Sequence, residues 1–157
     1  MEEKQSTSEN FILFGLAGTT YGLRTRDVQQ MEMVEQITPV PNAPPSVEGV
    51  VFLRGQVLPA LNLRVRFGFE KAPYNLSTRL IVVRSGIRSV GLIVDTAREF
   101  VSIPTSTIQP PPEGISDLSG KYLDGIAKLG DRIILIINID DVVNPVESII
   151  QIKEELP

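Results

Sequence analysis

Ser119, Lys121 and Asp124 bring a hydroxyl, an amine and a carboxylate into one short stretch, the raw material of an activated nucleophile. Such a nucleophile needs a base, an orienting partner and a desolvated setting. These three stand among the Gly and Ser residues of an ordinary loop, so a catalytic role is not expected. Asp140-Asp141 could be an acid–base pair, but adjacent residues on a strand point to opposite faces. They read better as a helix-start cluster before Val142-Val143. Gly114 to Tyr122 is similar to a phosphate-binding P-loop. Its glycine spacing is one residue too long, however, and Tyr122 replaces the required Ser or Thr. The chain has no His and no Cys. That removes the commonest general base and metal ligand, along with thiol nucleophiles and structural zinc. No acidic cluster has calcium-loop spacing. No enzyme, metal site or cofactor is expected.

The chemistry that remains is recognition. Val47 to Arg64 reads as strand, tight Arg54-Gly55 turn, strand. Gly55 lets the backbone reverse without a Cβ penalty. Arg54 is thereby lifted to the corner of a hairpin between two apolar runs, a good position for gripping a partner. A turn arginine that is simply solvated is the alternative. Arg64 and Arg66 would share a face if extended, and read as a wet edge that discourages sheet aggregation.

Other strands surround this hairpin. Phe11 to Leu16 is apolar on both faces. Residues 17–20 form its turn and Tyr21 begins the return. Residues 26–33 fit helix or strand equally well. Thr38 to Pro45 is a proline-rich connector. Leu80 to Val83, Val90 to Val94 and Arg98 to Ile103 read as strands, with a tight turn at Ser85-Gly86. Pro104 to Gly120 reads as a long loop. Gly130-Asp131 signals a two-residue hairpin turn. Ile133 to Ile137 should be the most deeply buried strand. Asn144-Pro145 offers an N-cap followed by a first-turn proline, so a short helix is expected over 146–157. Many short strands with Gly and Pro turns indicate an all-β barrel or sandwich.

At 157 residues one domain is expected, spanning 10–145 after a disordered tail at 1–9. The first residues are acidic and polar, without the apolar run of a signal peptide. No run is long enough to span a bilayer. A cytoplasmic location without direct membrane insertion is the expectation. The net charge of −4 comes from the tails, because between residues 10 and 145 the 13 Lys and Arg are balanced by 13 Asp and Glu. A neutral core lacks the basic face that nucleic acid requires. Six Phe, three Tyr and no Trp leave no stacking platform. A small β-barrel nucleic-acid binder is the weaker alternative to a protein that meets other proteins.

Gly49-Val50-Val51-Phe52-Leu53-Arg54-Gly55-Gln56-Val57-Leu58-Pro59, running on through Asn62-Leu63-Arg64 to Phe67-Gly68, resembles the signature of the CheW family of chemotaxis coupling proteins. Gly91 to Asp95 and Tyr122 to Ile139 are similar to two further family blocks, in the family's order. The resemblance spans roughly Phe11 to Val143. It implies two small five-stranded SH3-like β-barrels packed around a shared core, and a strand over the ambiguous residues 26–33. It also implies a non-enzymatic adaptor between the cytoplasmic tips of chemoreceptors and the regulatory domain of a CheA-type histidine kinase, recruited to membrane-associated arrays. A coupling protein for another receptor–kinase pathway, such as surface motility, is the alternative. Carried over by position, the receptor-binding residues are Arg54, Val28, Gln30, Gly49, Ala97 and Phe100. Three positions depart from the family: Gln30 is usually acidic, Asn62 is usually Asp, and Phe100 is usually smaller. Plain core packing is the other reading of Val28, Ala97 and Phe100.

Overall fold

Successive side chains of a strand point to opposite faces, so a strand apolar at every position needs a core on each side. The computed structural model, which describes residues 7–112 and 122–144, supplies both. Its strands are β1 (Ser8–Leu16), β2 (Thr19–Arg24), β3 (Val28–Met33), β4 (Val47–Leu53), β5 (Gln56–Asn62), β6 (Arg79–Ser85), β7 (Arg88–Val94), β8 (Thr96–Pro104), β9 (Ile108–Gln109), β10 (Leu123–Leu129) and β11 (Arg132–Ile137). A four-residue helix, α1 (Leu63–Arg66), follows β5, and residues 139–144 form a second helix, α2.

The strands divide into two sheets, with orders β8-β1-β2-β11-β10-β9 and β3-β6-β7-β5-β4. In the first, β8 and β9 lie at opposite edges, yet only the turn Thr105–Thr107 separates them in sequence. The sheet must therefore curl until its edges meet, which makes a small barrel. Counted as one bent strand, β8 and β9 give it five. In the second sheet the edges are β3 and β4. The chain beyond β3 crosses to β4 through a Thr38–Val50 bridge, which draws that sheet closed as well.

Each barrel fills its own interior and turns a second face to its neighbour. Phe11, Leu13, Ile134 and Ile136 fill the first barrel, and Val51, Leu58, Leu80, Val82 and Ile93 the second. The opposite faces of the same strands, including Phe14, Leu16, Ile81, Val83, Leu92 and Val94, meet in a shared core. Phe67, Tyr21 and Tyr122 join it, Phe67 stacking on Tyr122 at 5.2 Å between centroids. This is the shared core that the resemblance implies.

Residues 28–33 are a strand, as the resemblance implies, preceded by a turn at Thr25–Asp27. Several other local expectations change. Ser8 and Glu9 belong to β1 rather than to a disordered tail, because Ser8 pairs with Pro104 and Glu9 binds Arg24. The expected loop after Pro104 contains β9, which pairs with β10. β11 is not the most buried strand: Ile133 is 51 % exposed, whereas Leu80 to Val83 of β6 are all buried. Helix formation begins before Asn144. Asn138 accepts the Asp141 N–H at 3.2 Å, and burial of Val142 and Val143 holds the turn. The expected helix over 146–157 lies outside the described residues, as do Ser119, Lys121 and most of the P-loop-like stretch.

Candidate functional site

Arg54 and Gly55 occupy the two-residue turn between β4 and β5, closed by the Leu53–Gln56 pair. Both have positive φ, 50° for Arg54 and 78° for Gly55, the mirror-image turn that matches strand twist. Gly55 adopts it freely, whereas Arg54 pays about 1 kcal/mol for it. Arg54 is exposed, and among the described residues no hydrogen bond or ion pair engages it. The apolar residues beside it are not buried as the sequence suggested. Phe52 and Val57 form a cross-strand pair and are 70 % and 64 % exposed.

These two residues, with Met33 and Leu53, line a groove of about 470 Å³ between β4 and the chain leaving β3. Glu32 and Glu35 add carboxylates to its wall, and Val51 and Leu80 join it to the barrel core. Side-chain parity was the available signal. Val51 and Leu58 point inward, so Phe52 and Val57 must point outward, and large apolar residues at outward positions mark a contact surface.

The residues carried over from the family resemblance come from both barrels. Val28, Gln30, Gly49 and Arg54 lie on the second barrel, Ala97 and Phe100 on β8 of the first. Val28 is half-buried against the shared core, and Phe100 is 70 % exposed. Gly49 and Ala97 are buried and offer a partner no side-chain surface. Gly49 has φ 151°, and a Cβ there would collide with the Thr38 carbonyl, so its role is to close the barrel seam. Ala97 packs into the shared core.

Two departures from the family pattern share one physical cause. Gln30 donates its amide to Glu32 at 2.8 Å, and Asn62 donates its amide to Glu48 at 2.8 Å. A carboxylate at either position would face another carboxylate instead. Asn62 is buried and also caps α1, accepting the Val65 N–H at 3.3 Å. Lys71 pairs with the same Glu48 at 3.2 Å. Burial, with Glu48 close by, pushes the Tyr74 phenol up to about 12.

Arg64 and Arg66 are not a wet edge. Arg64 makes a bidentate pair with Asp95, at 2.9 and 2.8 Å. Asp95 in turn accepts the Ala17 N–H at 2.9 Å. Burial alone would raise the Asp95 carboxyl, but these donors outweigh it and hold it below its usual range. Arg66 donates to the Val142 carbonyl at 3.0 Å and lies over the Tyr122 ring at 4.7 Å. Two of the carboxylates weighed for catalysis are occupied: Asp124 pairs with Arg24 at 2.7 Å, and Asp140 accepts from the Ser85 hydroxyl. No group of His, Cys, Asp or Glu among the described residues could hold a metal ion.

Two barrels with exposed apolar and cationic faces define an interaction scaffold. The family model of the CheW-like domain matches residues 10–147, and the chain belongs to the CheW-like family. It is 32 % identical over 143 residues to the chemotaxis protein CheW of Klebsiella aerogenes, covering 91 % of this chain and 86 % of that one. The CheW of Bacillus subtilis is 30 % identical over 148 residues, covering 94 % and 95 %. The crystal structure of the scaffolding protein TtCheW from Thermoanaerobacter tengcongensis superposes with a TM-score of 0.79 at 34 % identity. That match covers 84 % of this chain and 90 % of the other. As a member of this family the protein is a non-enzymatic scaffold of chemotaxis signalling. No helix among the described residues is long and apolar enough to cross a membrane.

Proposed function

We propose that the protein is an adaptor that joins the cytoplasmic tips of chemoreceptors to the regulatory domain of a CheA-type histidine kinase, within membrane-associated arrays. The single observation that carries this reading is the Arg54 corner: an uncommitted guanidinium on a strained turn, beside the outward pair Phe52 and Val57. Strain of that kind persists where it serves recognition. The names of the relatives, chemotaxis and scaffolding proteins, support the same reading.

In this account the receptor side comprises Arg54, Val28, Gln30 and Phe100. Gly49 and Ala97 act through the backbone they hold in place. The groove around Phe52, Val57 and Met33 takes the kinase domain, barrel end against barrel end, in a small apolar contact of the transient class. Calorimetric titration with the regulatory domain of the CheA-type kinase of the same organism should show saturable micromolar binding. Phe52→Asp and Val57→Asp should abolish that binding while leaving the fold intact. A flat titration with both proteins folded overturns the assignment.

A further inference from the structure

The chain crosses between the barrels twice within the described residues, at the turn Thr25–Asp27 and at Asp95 between β7 and β8. Two covalent crossings by themselves would let the barrels rock about the line that joins them. The shared core opposes separation, but apolar burial is non-directional. Directional contacts must set the angle.

Those contacts gather at α1. Arg64 reaches from α1 to Asp95, where the chain leaves β7 beside β5 in the same barrel, and with both hydrogen bonds of the fork made it orients the carboxylate that reaches the first barrel. The same carboxylate takes the N–H of Ala17, which stands in the β1–β2 turn of the first barrel at φ 52°. The Asp95 N–H donates to Gly15 in the neighbouring strand at 3.1 Å. Two positions along, Arg66 fastens α1 to the Val142 carbonyl and to Tyr122, both on the first barrel's side of the chain. Lysine could supply the charge at position 64 but not the planar fork.

We propose that the Arg64–Asp95–Ala17 junction locks the angle between the two barrels and that Arg64 is a positioning residue for coupling, resting on the adaptor reading for that second part. A receptor contact that spans Phe100 on the first barrel and Arg54 on the second can bias the kinase groove only if the barrels move as one body. With the lock removed, each face still binds, but the bias of one partner dissipates in rocking instead of reaching the other.

The chain has no cysteine, so two introduced ones give unambiguous labels. Spin labels at Arg84→Cys and Lys128→Cys, both exposed and on different barrels, report the inter-barrel distance. In the labelled protein the distribution should be narrow, and Arg64→Ala or Asp95→Asn should at least double its width. Arg64→Lys should fall between them. Each variant should bind the kinase regulatory domain and nanodisc-held receptor within about threefold of the parent. In receptor–kinase assemblies, however, attractant control of the kinase should fall at least fivefold. An unchanged distance distribution overturns the lock, and a widened one with full kinase control overturns the positioning role. If Arg64→Ala melts below the assay temperature, Arg64→Gln, which keeps part of the stem and an amide donor but not the fork, takes its place with the same expectations. Failure of the parent protein to bind the kinase domain would instead defeat the adaptor reading, while the partner-free distance measurement would still decide the lock.

Discussion

The guanidinium of Arg64 and the carboxylate of Asp95, 31 residues apart in sequence, meet through two hydrogen bonds of 2.9 and 2.8 Å. Their side chains are 24 % and 31 % exposed, so the pair lies between the surface and buried regimes. A contribution of about 1 kcal/mol follows, above an ordinary surface pair and below a buried charged hydrogen bond. Folded Asp95 gives up its proton more readily than it does in the unfolded chain. The stabilisation is therefore complete above the unfolded carboxylate value of about 3.9 and disappears as pH falls through the lower folded value. Asp95→Asn should melt roughly 2–4 °C below the parent at pH 7. The difference should close towards pH 3. A constant gap across that range would mean that the pair is not what the substitution removes.

Arg54 separates strain from recognition. Arg54→Asn keeps a residue that tolerates positive φ, so it should raise stability by up to about 1 kcal/mol. Arg54→Glu keeps the strain and should stay within about ±0.5 kcal/mol of the parent. Receptor binding should fall in both, by about 2–5 kcal/mol for the charge reversal if the contact is desolvated. Melting temperature with receptor and kinase pull-downs reads all three quantities. Early melting of Arg54→Glu, or equal loss of both partners, would make Arg54 structural.

At Gly49 the seam of the second barrel has no room for a side chain. Gly49→Ala must move the Thr38 backbone and adopt an unfavourable φ, for a combined cost of about 3 kcal/mol or more. The denaturant midpoint measures it. A shift under 1 kcal/mol would show that the seam opens freely.

Asn62→Asp tests the amide–carboxylate pairing. The new carboxyl would face Glu48 in a buried site, and its pKa would be raised. A raised folded value means that stability is retained below the unfolded value and lost as pH rises. The variant should match the parent near pH 4 and trail it by about 1–3 kcal/mol at pH 7. Equal stability at pH 7 would show that Glu48 turns away.

Much of this architecture is local and therefore legible in the chain. The turns at Arg54-Gly55 and Gly130-Asp131 and the doubly apolar β1 and β6 follow from residue types within a few positions of one another. Barrel closure depends on pairings such as Thr38 with Val50, and only the family resemblance carried it. Arg64 was read as solvated because its partner arrives from another strand, and nothing near it in sequence announces the pair. The helix start at Asp140-Asp141 is legible in the sequence, where Asn138 supplies its cap, and burial of Val142 and Val143 holds the turn. The resemblance implies contacts at Gly49 and Ala97, and the seam and shared core that enclose them are set by residues distant in sequence.

The adaptor account is tested most directly by reconstitution: receptor-bearing membranes, the CheA-type kinase of the same organism, and this protein added or withheld, with kinase autophosphorylation followed as attractant is titrated. The account predicts that receptor control of the kinase appears only when the protein is present, and that Arg54→Glu fails to restore it. Attractant control of equal size without the protein, or kinase activity indifferent to its addition while all components are folded, would contradict the account.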